Sequence, residues 1–531
     1  VLAAALCAAT VASAFAQDQT PSAAPEIVLP PRVGVTGPPR PLSLDEAIRM
    51  SLEQNNAIAI ARLDTAASLE GIRAAEGIFD PRLTPTASYQ NTTTASVSSI
   101  SGGTNGRLQT RQLAGAVGLN GRTPWGGGRF AANFSSSKLV SSNQFARLNP
   151  QFPSALSASY AQPLFRGRTI DAERRSILLA RSTADLSNAQ LSRIVTDQLT
   201  LVVQAYWGLA FATRNLEVQT QALSQAQAQV TSNERQAREG TLAPIDVVEA
   251  QTQVANFRQT VASAQQAVTE AENRLKLLIA PNRASDIWNQ PIVPTEPADV
   301  PVPAIDLAEA AKLAIARRPE LTALETTRAE NQINREYYAD LAKPQFDLIG
   351  TYTMSGVAGS ALTTTTPIGG SVSTVPPFLE GDYATSLNNL FANRFPTALV
   401  QLQMDLPLRN TTARANIART EIEANQIQQQ RLQLEQAIEL DVRNALQALQ
   451  SSQQRLEAAS SARRNALEQY ESERRRFESG LGTVFLVLQR QTALVTAQSL
   501  ELRARTDLNQ AIAQLDRAVG GTLESHGVQV K

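Results

Sequence analysis

The strongest constraint on the fold of this 531-residue chain is a helix–glycine–helix pattern that occurs twice. A long stretch rich in Ala and Gln runs to Gly240, and a second helical stretch begins at Pro244. The same arrangement recurs around Gly480. Glycine just after a helix supplies a left-handed C-cap, and proline favours the first helical turn. Each copy therefore predicts a helical hairpin with a tight tip.

Four further landmarks show that the repetition extends beyond the hairpins. They pair residues 44–47 with 307–310, 81–83 with 344–346, 152–156 with 395–399, and 162–164 with 406–408. Landmarks that recur in one order indicate an internal duplication. We therefore predict two related halves, each with a helix, strands and a long helical hairpin.

The domain boundaries follow from these landmarks. We predict a signal peptide at 1–16, an extended segment at 17–43, a first repeat at 44–283, a Pro-rich linker at 284–304, a second repeat at 305–521 and a tail at 522–531. The first repeat is predicted to contain one helix to about Gly77, strands within about 83–164 and a hairpin at 171–280. The second is predicted to contain a helix, strands within about 346–406 and a hairpin at 412–519.

The first 16 residues form an apolar run that ends in Ala14-Phe15-Ala16. Small residues in this spacing are typical of a signal-peptidase site, which favours export. A disordered or buried apolar start is the alternative. Cys7, the single cysteine, lies in this run, so the processed chain is expected to have no disulfide.

Composition argues against several classes of function. The formal net charge is zero and 18% of residues are charged, which does not favour a nucleic-acid surface. His526 is the single histidine, so common His-centred triads and His/Cys metal sites are not expected. We therefore expect no enzyme activity, no metal and no cofactor.

Between the helices, apolar and polar residues alternate in short stretches. These stretches lie at about 83–90, 113–119, 130–134, 156–164, 346–352 and 400–406. Alternation of this kind is a weak signature of an outer-membrane β-barrel, and a half-buried soluble sheet is the alternative. An insertion around 110–140 occurs only in the first copy, and it would form either extra barrel strands or a periplasmic flap.

Aromatic residues near the predicted strand ends have two interpretations, as interface girdles or as core packing. They are Tyr89, Phe134, Tyr160, Phe346 and Tyr352. The long second-copy helix carries an apolar stripe at steps of three, four and seven, which predicts a coiled-coil seam. It consists of Ile427, Leu434, Ile438, Val442, Ala445, Leu449 and Leu456.

Taken in order, these features resemble the TolC-like outer membrane efflux protein family, also called outer membrane factors. The resemblance covers nearly the whole chain after residue 16. It depends on the strand-to-helix junctions at 162–165 and 406–408, the tips at 240–251 and 480–491, and the ending at 515–520.

The resemblance implies an α+β membrane fold, internally duplicated and homotrimeric. Each copy would give a third of one β-barrel in outer-membrane lipid and a third of a long periplasmic α-helical coiled-coil barrel. The implied function is a passive exit duct of a tripartite efflux or type I secretion system. Its partners would be a periplasmic adaptor (membrane fusion) protein and an inner-membrane pump, with no nucleic acid involved.

The family's functional positions carry over only in part. In the family, acidic residues after the tip glycine narrow the pore, and Asp246 occupies one such place in the first copy. A carboxylate favoured by the helix dipole is the alternative interpretation of Asp246. Leu486 and Gln489 stand at the equivalent places of the second copy, so the predicted constriction is less acidic and partly apolar.

An aromatic residue and an arginine usually help to latch the family's tip. Phe477 stands near the first place, and Gly482 replaces the arginine. The candidate pore and tip residues are therefore Asp246, Gly240, Gly480, Phe477, Thr483, Leu486, Gln489 and Arg490. The competing hypothesis is a periplasmic or surface coiled-coil scaffold or adhesion protein. Neither hypothesis identifies a cargo, a pump class or an adaptor.

Overall fold

The computed structural model describes residues 32–97, 102–297, 301–362 and 375–528. The predicted signal peptide and most of the predicted extended segment lie outside these residues. The chain divides into two compact units. Unit 1 comprises the chain up to Ala59, Ile194–Arg317 and the chain from Ile438, and unit 2 comprises Ile60–Arg193 and Arg318–Ala437.

Four helices of the first half recur in the second in the same order and with similar lengths. The described helices are α1 (Leu44–Gln54), α2 (Asn56–Glu76), α3 (Ala172–Arg238), α4 (Pro244–Ile279), α5 (Leu307–Arg317), α6 (Pro319–Leu341), α7 (Tyr383–Phe391), α8 (Thr411–Glu478), α9 (Val484–Val519) and α10 (Thr522–Ser525). Helices α1 to α4 recur as α5, α6, α8 and α9. The return helices α4 and α9 both have 36 residues, and the long helices α3 and α8 have 67 and 68. Among the described residues, no helix combines the length and apolar character required to cross a membrane.

The single helix predicted from residue 44 to about Gly77 is wrong, because Asn55 divides it into α1 and α2. Asn55 has an extended backbone, with φ −68° and ψ 123°. Its Oδ1 accepts hydrogen bonds from the N–H groups of Ala57 and Ile58, at 2.8 and 3.3 Å, and so caps α2. Its Nδ2 donates to the carbonyl oxygen of Leu278 at 3.0 Å, which anchors the break to α4.

The Pro-rich linker is not simply extended. Asp286–Asn289 forms a short 3₁₀ helix, and the following strand β6 (Ile292–Pro294) pairs in parallel with β1 (Arg40–Leu42). The hydroxyl of the fully buried Tyr206 donates to the carbonyl oxygen of Leu42 at 3.1 Å. The linker is therefore attached to the body of unit 1.

Unit 2 contains one six-stranded antiparallel sheet with the order β2-β3-β4-β5-β7-β8. The strands are β2 (Arg82–Ala95), β3 (Arg107–Arg122), β4 (Arg129–Ser141), β5 (Leu148–Pro163), β7 (Gln345–Ala361) and β8 (Phe395–Asp405). Each strand extends beyond its predicted core, because pairing continues past the alternating segment. The insertion around 110–140 corresponds to β3 and β4, which lie inside this sheet.

The pairing register gives the sheet two different faces, because successive residues of a strand point to opposite sides. One row across all six strands is Pro85, Val117, Phe134, Leu156, Met354 and Pro396. The adjacent row on the other side is Thr84, Gly118, Asn133, Ser157, Thr353 and Thr397. The first face is mainly apolar, and the second consists mainly of small and polar residues, with exceptions such as Ile349 and Leu399.

Helix α7 lies between β7 and β8, in a segment for which the sequence pattern predicts no helix. Asp382 caps the helix by accepting from the N–H groups of Ala384 and Thr385. The Ser386 hydroxyl lies 2.8 Å from the Ser154 hydroxyl of β5. A side chain at Gly356 would collide with the α7 backbone, so α7 packs closely on the apolar face at a position where the sheet residues are small.

In unit 1, apolar residues hold the long helices together, and several of them are alanines. One cluster joins Ala222, Leu223 and Ala226 of α3 to Val254, Phe257 and Val261 of α4 and to Val495 of α9. The middle of the predicted α8 stripe is buried, since Ile438, Val442, Ala445 and Leu449 are each less than 9% exposed. Small side chains allow the helix axes to approach closely.

Candidate functional site at the hairpin tips

The first hairpin tip is a compact turn between α3 and α4. Gly240 has φ +76°, in the left-handed region that glycine adopts most easily. Its N–H donates to the Ala237 carbonyl oxygen at 3.1 Å, and the Thr241 N–H donates to that of Gln236 at 3.0 Å. These two bonds form a Schellman motif that satisfies the last carbonyls of α3. Pro244 then occupies the first turn of α4.

The second tip repeats this geometry between α8 and α9. Gly480 has φ +76°, its N–H donates to the Phe477 carbonyl oxygen at 2.9 Å, and the Leu481 N–H donates to that of Arg476 at 2.9 Å. The next helix begins differently, because the Thr483 hydroxyl accepts from the Leu486 N–H at 3.4 Å. Ala243, at the equivalent place of the first tip, makes no side-chain cap.

A small apolar cluster, the tip cluster, joins the two hairpins within unit 1. Ala250 of α4 packs with Val484 and Leu488 of α9, and these three residues are at most 7% exposed. Leu242 and Phe477 pack against them from the two turns. The two tips are therefore fixed relative to each other by apolar contact.

The candidate residues occupy different surroundings at the tips. Phe477 packs against the tip cluster, whereas Asp246 is half-buried in the first turn of α4. The Arg490 guanidinium donates to the Gln469 side-chain oxygen at 3.0 Å, which holds it against α8. Gln489 is exposed and Leu486 is half-buried. Of these five, the structure brings only Phe477 into the tip cluster.

A groove of about 810 Å³ lies beside the tip cluster between α4, α8 and α9. Its lining includes the exposed side chains of Val248, Phe485 and Leu500 together with Gln489. Exposed apolar side chains arranged around a concavity are typical of a surface that another helix covers.

The surface of α8 before the second tip is highly charged. The Arg474 and Glu478 side chains pair at 2.9 Å, and Arg476 lies 3.7 Å from Glu473. Burial raises the pKa of the neighbouring Tyr470 phenol, so that side chain is uncharged at neutral pH. The tip therefore combines paired surface charges with an apolar cluster.

Replacing either tip glycine by alanine is expected to loosen its turn. No atom lies within 4 Å of a Cβ added at Gly240 or Gly480, so the effect is backbone strain, about 1–2 kcal/mol for a left-handed residue with a side chain. Hydrogen exchange of the Thr241 and Leu481 amides measures this opening. Gly71→Ala in α2 is the control, and it should stabilise its helix by roughly 0.5–1 kcal/mol. Unchanged protection in Gly480→Ala would contradict the strained-turn interpretation.

Comparison with known proteins decides the family. Residues 129–280 and 310–521, more than half of the chain, match the family model described as outer membrane efflux protein. The chain belongs to the outer membrane efflux protein family. The resemblance inferred from the sequence is thereby confirmed, and the family's description is that of a transport protein rather than of an enzyme.

Solved structures of bacterial outer membrane channels and proteins share the fold. The Campylobacter jejuni CmeC outer membrane channel has a TM-score of 0.62 at 13% identity, with 90% of this chain and 86% of that chain covered. Vibrio cholerae VceC gives 0.60 at 14% identity, covering 90% and 96%. The open state of the Neisseria gonorrhoeae MtrE channel gives 0.57 at 17% identity, covering 90% and 89%. No match was found among curated protein sequences.

Sequence reasoning missed the partners that hold the tips in place. Ala250, Val484 and Leu488 look like ordinary helix residues, and the contact among them depends on how the hairpins pack. The Gln253 amide, which donates to the Thr492 hydroxyl at 2.9 Å, was missed for the same reason. One signal for this contact was present in the sequence. The segments that form α4 and α9 have equal length, so equivalent turns of the two helices can lie side by side.

Proposed function

We propose that the protein is the passive outer-membrane exit duct of a tripartite efflux or type I secretion system and that it works as a homotrimer. Family membership supports the efflux role in the outer membrane. The observation that carries the proposal is the six-stranded sheet of unit 2, because it has one apolar face, one small polar face and two outer strands with an unpaired edge among the described residues.

The height of the apolar face fits the thickness of a bilayer. From Phe346 to Met354, both on the apolar face of β7, the strand rises about 26 Å. The apolar band of outer-membrane barrels is about 25 Å tall. Every residue of β8 is exposed, including Val400 at 78%. Lipid does not tolerate open strand edges, so the edges of β2 and β8 must pair with other copies, and three copies would close a barrel.

The helical hairpins supply the periplasmic part of the proposed duct. Each copy contributes two hairpins with matching tips, and the tip cluster keeps them together. We assign the groove lined by Val248, Phe485 and Leu500 to contacts with helices of neighbouring copies. The exposed tip turns would dock a periplasmic adaptor and, through it, an inner-membrane pump.

Asp246 is proposed to narrow the pore as a negative charge. Its position as the third residue of α4 also places the carboxylate near the positive end of the helix dipole, where a negative charge stabilises the helix. The equivalent Leu486 in the second copy carries no charge. The proposed constriction would therefore alternate between acidic and apolar positions around the trimer.

Planar-bilayer recording of detergent-purified protein tests the duct, with the oligomer mass measured alongside. Trimers with discrete, cation-selective conductance steps are the expected result. Asp246→Ala is expected to lower cation selectivity, whereas Glu270→Gln, an exposed carboxylate farther along α4, should leave it unchanged.

The outcomes separate the hypotheses. A soluble monomer that leaves the bilayer silent would refute the duct and favour the coiled-coil scaffold. Trimers whose selectivity is the same with and without Asp246 would remove this residue from the pore while leaving the duct in place. Trimers that stay silent, even when the tips are opened by Gly240→Ala and Gly480→Ala together, would also count against the duct.

A further inference from the structure

The first repeat contains a strand pair that the second repeat lacks. Four strands, β2 to β5, connect α2 to α3, whereas two strands, β7 and β8, connect α6 to α8. β2 and β7 each follow the short helices, and β5 and β8 each lead into a long helix, so these strands correspond. The hairpin β3–β4 is therefore an insertion.

The inserted hairpin lies within the sheet and not beside it. β3 pairs with β2 along its whole length, from Arg82 opposite Asn120 to Ala95 opposite Arg107. β4 pairs with β5 from Arg129 opposite Ala161 to Leu139 opposite Gln151. A periplasmic flap would leave β2 and β5 as neighbours, but here the hairpin separates them.

The hairpin also continues both faces of the sheet. On the apolar face it contributes Leu113, Val117 and Leu119 from β3 and Phe130 and Phe134 from β4. Leu113 is 58% and Val117 is 42% exposed, comparable to the 42% of Leu348 on β7. On the opposite face the hairpin presents small and polar residues, including Ala116 and Ser135.

One row of small residues crosses the hairpin and its neighbours together. It consists of Ala87, Gly115, Ser136, Ser154 and Gly356. On β5 and β7 this row consists of Ser154 and Gly356, and α7 covers both of them on the apolar face. The next residues on that face are the larger Leu156 and Met354. At the next level β3 and β4 carry Val117 and Phe134, in register with Leu156 and Met354, so they share the level of the lipid-facing band.

We propose that the β3–β4 hairpin is part of the membrane wall, so that the trimer closes six strands from each copy into an eighteen-stranded barrel. This inference rests on the proposed function, since it takes the trimer as given. Without the hairpin, each copy would give four strands and the barrel twelve. Barrel diameter grows roughly linearly with strand number, so the insertion widens the barrel about 1.5-fold. Barrels of 16–18 strands enclose an aqueous channel, so the exit admits bulky hydrated cargo.

Site-specific labelling tests the position of the hairpin. Cys7 is the single natural cysteine and lies in the predicted signal peptide, so one introduced cysteine is unique after processing. Val117→Cys and Ala116→Cys place a fluorophore on opposite faces of β3, and Leu348→Cys and Thr351→Cys do the same on β7. Trimers in liposomes are then exposed to nitroxide-labelled lipids and, separately, to iodide in the water.

We expect the Val117 and Leu348 probes to be quenched by the labelled lipid and the Ala116 and Thr351 probes by iodide. If labelled lipid quenches the Leu348 probe but iodide quenches the Val117 probe, as it does the Ala116 probe, the hairpin lies outside the membrane wall. The proposed duct is not contradicted by that result. If labelled lipid quenches neither the Val117 probe nor the Leu348 probe, the proposed function itself is wrong. Electron cryo-microscopy of unmodified trimers gives an independent count, and twelve strands in end views would overturn the proposal.

Discussion

Replacing Glu272 by Gln is expected to destabilise unit 1 by about 3–5 kcal/mol, because the change leaves a buried lysine without its counter-ion. The Lys276 ammonium lies 2.6 Å from the Glu272 carboxylate, and these side chains are 0% and 2% exposed. The second carboxylate oxygen accepts from Arg32 at 2.8 Å and from the Ile292 N–H at 3.3 Å. The carboxylate therefore holds α4, β6 and the start of the described chain together.

Urea unfolding followed by helical circular dichroism measures this effect. Glu270→Gln, on the exposed side of the same helix, is the matched control and should change the free energy of unfolding by less than about 0.5 kcal/mol. Adding Lys276→Met to Glu272→Gln removes the stranded charge and should recover much of the loss. Equal stability of Glu272→Gln and the control would contradict the prediction, because it would mean that water solvates the Lys276 ammonium.

Tyr206→Phe is expected to destabilise the same unit by about 1–3 kcal/mol, since the Glu296 N–H loses its partner in a buried site. The Leu42 carbonyl oxygen and the Thr295 N–H lose one of two bonds each, because they also bond to each other at 3.1 Å. The hydroxyl donates to the Leu42 carbonyl oxygen at 3.1 Å and accepts from the N–H groups of Thr295 and Glu296 at 3.2 and 3.1 Å. Tyr206 is fully buried, so water cannot replace these bonds.

Tyr470→Phe in α8 provides the matched control for that experiment. No hydrogen bond of the Tyr470 hydroxyl is recorded among the described residues, so this change should alter stability by less than about 0.5 kcal/mol. Faster exchange of the Glu296 amide should accompany the loss in Tyr206→Phe, because the Thr295 amide keeps its bond to the Leu42 carbonyl oxygen. Equal stability of the two phenylalanine variants would mean that the hydroxyl does not secure the linker.

The sequence was most informative where backbone chemistry is local. Glycine after a long helix indicates a left-handed turn without reference to the rest of the chain, and both Gly240 and Gly480 adopt φ +76°. Alternation likewise located the strands, because one face of each strand must be apolar. Alternation did not predict which strands pair with each other, because an edge strand and a central strand show the same alternation.

Other features depend on contacts that are distant in sequence. Asn55 fits a helix by pattern, but its bond to the Leu278 carbonyl oxygen, more than 200 residues away, stabilises the break. Helix α7 is short, and its burial against Gly356 exists only in the folded sheet. At the tips, Phe477 was found by resemblance, whereas Ala250 and Leu488 required the packing of two helices. The pore roles of Asp246, Thr483, Leu486, Gln489 and Arg490 stay predictions.

The insertion of β3 and β4 has a consequence for how such a wall can change in evolution. An antiparallel strand reverses the direction of the chain, so the number of strands between α2 and α3 must be even for α3 to start at the same end of the sheet as α2 stops. One added strand would place the start of the long helix at the opposite end of the sheet, and an added hairpin would not. In the proposed threefold assembly the circumference would then grow only in increments of six strands, so the pore width of the proposed duct would change in discrete steps.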